Sequence, residues 1–200
     1  MNRFVLSAVL SMALVIVTSN ILVQYTLGNW LTWGALTYPF AYLITDLTLR
    51  QEGRGAAARV VVAGFIVGIL CSLGAALFDL TTLRIAIASA SAFLVAQLVD
   101  ILIFSKLRES SKWWRAPAIS STIGSILDTF IFFGLAFSVT TYAVLADSNS
   151  WAQELVPMLG FGPDAPLWLS LAMADLGIKL LYVVVLLLPY RWVVNRYSSI

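Results

Sequence analysis

Histidine is absent from this chain of 200 residues, cysteine occurs once, at Cys71, and only 11% of the residues are charged. Each shortage excludes a class of chemistry. Without histidine the chain lacks the commonest metal ligand and the commonest general base, which argues against zinc hydrolases and Ser-His-Asp hydrolysis and predicts no metal, no cofactor and no catalytic site. A single thiol cannot close an internal disulfide, so a secreted cystine scaffold is excluded. The net charge of +2 is small for a nucleic-acid binder, and so apolar a chain is the reverse of a disordered one. What is in excess is hydrocarbon: 60% hydrophobic residues and a mean hydropathy of +0.93 lie far outside the soluble range. The composition is that of a membrane protein, whose first partner is the lipid bilayer.

A spanning helix needs about 20 mostly apolar residues. Six runs approach that length, at roughly 4–25, 31–49, 60–78, 85–104, 116–137 and 167–190. The sequence therefore predicts an all-α integral membrane protein, a single domain of six transmembrane helices with short connectors. The exception is 138–166, rich in Gly, Pro, Asp and Asn, which reads as a long external loop with a short interfacial helix around Trp151. Arg3 ahead of the first run resembles the start of a secretory signal. No small-x-small cleavage site closes that run, however, and removing it would leave an odd number of spans. Pro39 interrupts the second run, which predicts a kink and carbonyls freed to line a cavity.

Orientation follows from the basic residues. Arg3, Arg50, Arg54, Arg59, Lys106, Arg108, Lys112, Arg115, Arg191 and Arg196 all fall on one side of the six runs, and Arg84 alone on the other. The long loop contains Asp147, Glu154 and Asp164 without a basic residue. Both termini are thus expected in the cytoplasm. Indole rings favour the headgroup layer, and the tryptophans agree: Trp30, Trp33 and Trp168 mark one interface, Trp113, Trp114 and Trp192 the other.

An ionisable group inside a span is costly and is therefore a functional candidate by default. Asp128 lies about 18 Å into the fifth run, near the midplane, and Lys179 reaches a similar depth. Gln97 is also central. Asp46 and Asp100 lie toward the cytoplasmic end, where Arg50 or the Lys106–Arg108 region can anchor them; Asn20 and Asp175 lie toward the outside. Small residues recur every four positions as Ala88, Ala92, Ala96 and Asp100 and again as Ser120, Gly124 and Asp128, so both carboxylates are expected to face the bundle. Asp175 and Lys179 can pair across one helical turn, either as a structural ion pair or as a substrate-positioning one. Gly64 and Gly68 form a GxxxG arrangement suited to another helix contact, within the chain or in a homodimer. Cys71 reads as a packing residue, the 180–188 run as lipid-facing, and Arg84 as an interface anchor or a gate.

These residues lie in motifs that resemble one family. Ser19-Asn20 closes the first run, YPFAYLITDLTLR covers Tyr38 to Arg50, and RIAIASASAFLVAQLVDILIFSKLR covers Arg84 to Arg108. WWRAPAISSTIGSILDTFIFF follows from Trp113 to Phe133, with Asp175 and Lys179 near the end. The combination resembles the queuosine precursor transporters, also called the vitamin uptake transporter family, over nearly the whole chain. The resemblance implies uptake of a 7-deazaguanine, the 7-cyano or 7-aminomethyl precursor of the tRNA nucleoside queuosine, across a bacterial inner membrane. It also implies a six-helix fold similar to the substrate-binding subunits of energy-coupling factor transporters.

A guanine-like edge offers two adjacent donors, which one carboxylate accepts as a fork, and an O6 acceptor that meets an amide or a cation. Asp128 is the expected fork, Gln97 or Lys179 the O6 partner, with Asn20 or Asp175 nearby and Tyr38, Phe40 or Phe132 as the stacking face. Asp46, Asp100 and Arg84 are the candidates for gating or proton coupling. No ATPase motif is present. Two alternatives stand beside a secondary transporter. One is a substrate-binding subunit needing a separate ATP-driven module, for which Ser7 and Ser11 offer a weak docking stripe; the other is an intramembrane enzyme or a structural protein.

Overall fold

The computed structural model describes residues 2–109, 112–138 and 150–198. Helix α1 is Arg3–Leu22; a short hairpin, β1 (Thr26–Leu27) and β2 (Leu31–Thr32), leads to α2 (Trp33–Thr37) and α3 (Phe40–Glu52). Helices α4 (Arg54–Leu77), α5 (Leu83–Leu107) and α6 (Arg115–Phe137) follow. A 3-10 turn at Ser150–Gln153 and a second hairpin, β3 (Leu155–Pro157) with β4 (Asp164–Pro166), precede α7 (Leu167–Val185) and α8 (Leu187–Ser198). Asn2 and Thr82 cap α1 and α5, each accepting the backbone N–H three residues on.

Among the described residues, five helical stretches are long and apolar enough to cross a membrane: α1, α4, α5, α6 and the α7–α8 rod. The second expected span is not one helix. Its 31–49 run holds β2, then α2, then a break at Tyr38–Pro39, then most of α3. Proline has no N–H to give and its ring collides with the carbonyl four residues back. The chain answers with tighter i→i+3 bonds, Ala41 N–H to Tyr38 O and Tyr42 N–H to Pro39 O. Pro189 causes a milder step, because α8 starts at Leu187 and a proline in a first turn forfeits no intrahelical bond. Gly53, at φ +80°, makes the single-residue corner between α3 and α4.

Asn2 Nδ2 donates to Glu52 Oε1 and Arg50 Nη1 to the Arg108 carbonyl, so the start of α1 and the ends of α3 and α5 meet at one end of the bundle. Tyr190 of α8 packs edge-on against Phe104 nearby. We call this the terminal end and the opposite one, with both hairpins, the loop end. The main apolar core, built around Met12, Leu49, Val60, Val61, Ile101 and Phe104, joins α1, α3, α4, α5 and α8. A smaller one around Ala88, Phe133, Ala136, Phe137 and Ala152 lies toward the loop end.

Small residues set the closest approaches. Ala88, Ala92, Ala96 and Asp100 of α5 are all buried, as are Ser120, Gly124 and Asp128 of α6, whose Gly124 faces α3. A Cβ on Gly124 would sit 2.7 Å from the Tyr42 ring, and one on Gly34 would sit 2.8 Å from the Ser19 carbonyl. Gly64 and Gly68 are spent on α1, against Met12 and Ile16, which leaves that GxxxG face occupied within the chain rather than free for a second copy. Leu6, Leu10, Leu14, Leu181, Val184 and Leu188 stay exposed, as a lipid-facing surface requires. Of the expected external loop, Asp147 lies outside the described residues, and the turn at Trp151 is a single 3-10 turn.

Candidate functional site

A cavity of about 370 Å³ runs from the loop end, bordered by Trp30, Leu80 and Trp151, down to Asp128 and Lys179. Its position follows from the interrupted α2–α3 segment. The break swings Tyr38 into the wall opposite α6, where its hydroxyl donates to Asp128 Oδ1 at 3.2 Å. Phe132 and Phe133 add aromatic wall from α6, one turn from Asp128.

The floor is a four-residue network. Lys179 Nζ donates to Asp128 Oδ2 at 2.6 Å, to Asp175 Oδ2 at 2.5 Å and to Thr129 Oγ1 at 3.1 Å. Thr129 in turn donates to Asp175 Oδ2 at 2.8 Å. An ammonium has three hydrogens, and here all three are engaged. Lys179 therefore has none left for a ligand's O6 while this network holds. Its charge also stands 5.6 Å from the Tyr38 ring centroid, which holds the aromatic face beside the pair. With both carboxylates and the ammonium ionised, the floor carries net charge −1. Asp128 has one protein donor on each oxygen, so lone pairs remain on both for an incoming fork of donors.

Asn20 is also in the wall. Its Nδ2 donates to Ile16 O at 2.9 Å and its Oδ1 accepts from Ser72 Oγ at 3.4 Å, which leaves one amide hydrogen uncommitted. The structure thus brings Asp128, Lys179, Asp175, Asn20, Tyr38 and Phe132 to one cavity. Gln97 and Phe40 are elsewhere. Gln97 is fully buried between helices, accepting from Thr45 Oγ1 at 2.7 Å, because α5 rotates that face onto α3 to pack its alanine stripe. Phe40 lies past the proline break, half exposed, with its ring against Tyr182.

Asp46 and Asp100 are not anchored by the neighbouring basic residues. Both are buried without an ion pair among the described residues, and they meet at Ser121: its hydroxyl lies 3.0 Å from Asp46 Oδ2 and 3.5 Å from Asp100 Oδ1. Arg50, which the sequence offers as a partner for Asp46, turns to the Arg108 carbonyl instead. Arg84 is buried at the loop end, where Nε and Nη2 donate to the carbonyls of Leu135 and Ser138 at 2.9 and 2.6 Å. It holds the C-terminus of α6, whose last carbonyls lack helical partners, and does not line the cavity.

Sequence reasoning missed Thr129 and Ser121. Ser121, Ser125 and Asp128 do fall on one face of α6, a polar stripe beside the small-residue one. Thr129 continues that stripe four residues after Ser125, but its partner Asp175, 46 positions away on another helix, is not legible from spacing.

The chain is 35% identical over 194 residues to the "Queuosine precursor transporter" of Escherichia coli (strain K12), an overlap covering 88% of this chain and 79% of that protein. It is 39% identical over 137 residues to the "Probable queuosine precursor transporter" of Haemophilus influenzae, covering 61% of this chain and 57% of that protein. The match to the latter thus spans little more than half of that relative's length. No solved structure gives a significant match. Residues 32–193, which include both halves of the interrupted segment and the whole floor network, match the family model described as "Putative vitamin uptake transporter", and the chain belongs to that family.

Proposed function

We propose that this protein imports a 7-deazaguanine precursor of queuosine across a bacterial inner membrane. The observation that carries the reading is Asp128, a buried carboxylate with lone pairs open to a cavity of about 370 Å³. That volume falls within the range of small-molecule sites. Asp128 accepts the N1–H and exocyclic amine of the base as a fork, Tyr38 and Phe132 flank the ring, and Asn20 offers its uncommitted amide hydrogen to O6. The net negative floor suits a neutral cyano base and attracts the ammonium of an aminomethyl base. Both relatives named above bear the corresponding transporter name.

In this reading α2 and α3 together make the sixth crossing, their break sheltered by the bundle and lining the cavity, where irregular backbone is tolerated in a membrane. The terminal end, with its arginines and with Trp113 and Trp192 under Arg191 and Arg196, faces the cytoplasm. The loop end faces outward, so the cavity lies open to the incoming base.

The test is queuosine in tRNA from cells that can neither make nor import the precursor, expressing this chain alone and fed the base. Queuosine returns with the intact chain and stays absent with Asp128→Asn, although that variant remains in the membrane. Uptake only when an ATP-driven module is co-expressed would replace this reading with a substrate-binding subunit. Normal uptake by Asp128→Asn would remove that residue from the site.

A further inference from the structure

Asp46 from α3 and Asp100 from α5 are 3% and 0% exposed, and neither has a cation within ion-pair distance among the described residues. Ser121 lies between them, but its one hydroxyl hydrogen serves only one carboxylate at a time. Among the described residues Asp46 Oδ1 and Asp100 Oδ2 have no hydrogen-bond partner. Two carboxylates so close, dry and unneutralised cannot both stay ionised; one retains a proton.

A second feature points the same way. A narrow crevice of about 20 Å³, room for one water, is lined by Tyr42, Asp46, Ser121, Ser125 and Lys179. It therefore touches Asp46 and the bridging Ser121 of the pair as well as Lys179 of the substrate-cavity floor. The hydroxyl of Tyr42, a residue 4% exposed, is also without a hydrogen-bond partner among the described residues.

The other groups around the pair do not neutralise it. Arg50, one turn further along α3, is turned to the Arg108 carbonyl. Tyr190 approaches from α8. Lys179 on α7 is committed to Asp128 and Asp175. The Thr48 hydroxyl donates to the Ile44 carbonyl of its own helix and the Thr45 hydroxyl to Gln97 Oε1, so neither gives its hydrogen to the pair.

We propose that Asp46 and Asp100, bridged by Ser121, form a proton-binding site separate from the substrate cavity, through which one proton enters the cell with each base. The singly protonated pair takes up a second proton along the Lys179–Tyr42 crevice while the cavity is open outward. It releases that proton to the cytoplasm when the terminal end opens, and the shared proton stays behind. The proposal deepens the transport reading and rests on it for the coupling, but the shared proton itself does not depend on the substrate.

Two measurements keep these apart. Infrared spectra of the purified protein should show the carbonyl stretch of a protonated carboxylic acid, lost in Asp46→Asn/Asp100→Asn and shifted in Ser121→Ala. A spectrum identical in the double variant and the intact chain overturns the site whatever the substrate is. In liposomes containing a pH-sensitive dye, adding the 7-deazaguanine base outside should acidify the lumen. The single Asn variants should lose acidification and pH-driven accumulation while still exchanging labelled base across the membrane. Exchange shows that the variants are folded, and its absence from the intact chain would count against the transport reading, not the site. Acidification by the variants, or accumulation driven by a sodium gradient and indifferent to pH, overturns proton coupling at this pair.

Discussion

Lys179 Nζ lies 2.6 Å from Asp128 Oδ2, although the two residues stand 51 positions apart and on different helices. The contact ties α7 to α6 at the bottom of the cavity. It also neutralises most of a buried anion whose isolated cost in a bilayer would be several kcal/mol. With Asp175 on the same ammonium, one cation serves two carboxylates, so the three residues act as a unit.

Removing the cation is therefore expected to cost more than removing either anion. Lys179→Met leaves the buried Asp128 carboxylate and the partly buried Asp175 one without their cation and should destabilise the protein by about 3–5 kcal/mol, the range for a broken buried pair. Adding Asp128→Asn to it should recover part of that loss without restoring uptake. Denaturation in detergent micelles measures the first effect, and precursor-dependent tRNA queuosine the second. A Lys179→Met protein as stable as the parent would show that the network is not held as described.

Tyr38 combines two roles that can be separated. Tyr38→Phe keeps the ring and removes the 3.2 Å hydrogen bond to Asp128, so substrate binding by calorimetry should weaken by up to about tenfold, given a net ~0.5–1.5 kcal/mol per hydrogen bond. Tyr38→Ala also removes the cavity wall and should bind more weakly still. Equal affinities for the two variants would mean that the ring contributes nothing.

Three glycines should respond differently to one methyl group. Gly34→Ala meets the backbone of Ser19 and Val23 at 2.8–2.9 Å, where nothing can move without shifting α1. A loss of about 1–3 kcal/mol from overpacking is expected there. Gly64→Ala meets the Met12 side chain, which can change rotamer, and should cost less. Gly177→Ala in α7 meets nothing within 4 Å and should gain up to about 1 kcal/mol of helix propensity. Melting temperatures of the three variants in one detergent test the order; Gly34→Ala melting with Gly177→Ala would contradict it.

Much of the architecture is legible in the sequence because lipid imposes simple rules. Uncharged runs mark the long helices, four-residue spacing of small side chains marks the faces of α5 and α6 that pack, and Pro39 marks the break. The Asp175–Lys179 contact is legible too, since residues four apart on a helix are neighbours by geometry alone. All of these are local properties, fixed within one or two turns.

What the tertiary structure decided are the relations between helices. Gln97 and Asp128 share a midplane depth, and depth says nothing about rotation; α5 turns Gln97 onto Thr45 because its alanine face is the one that fits α6. Asp46 and Asp100 lie near arginines in sequence but meet Ser121 in space, because the approach of Tyr42 to Gly124 sets how α3 lies on α6. Lys179 reads along the chain as the partner of Asp175 alone and becomes saturated only when Thr129 and Asp128 arrive from α6. Hydrophobic spacing thus determined that the chain enters a membrane and which residues it keeps from lipid. Which of those residues touch depends on helix rotation and close packing, and these are set by shape complementarity between segments far apart in sequence.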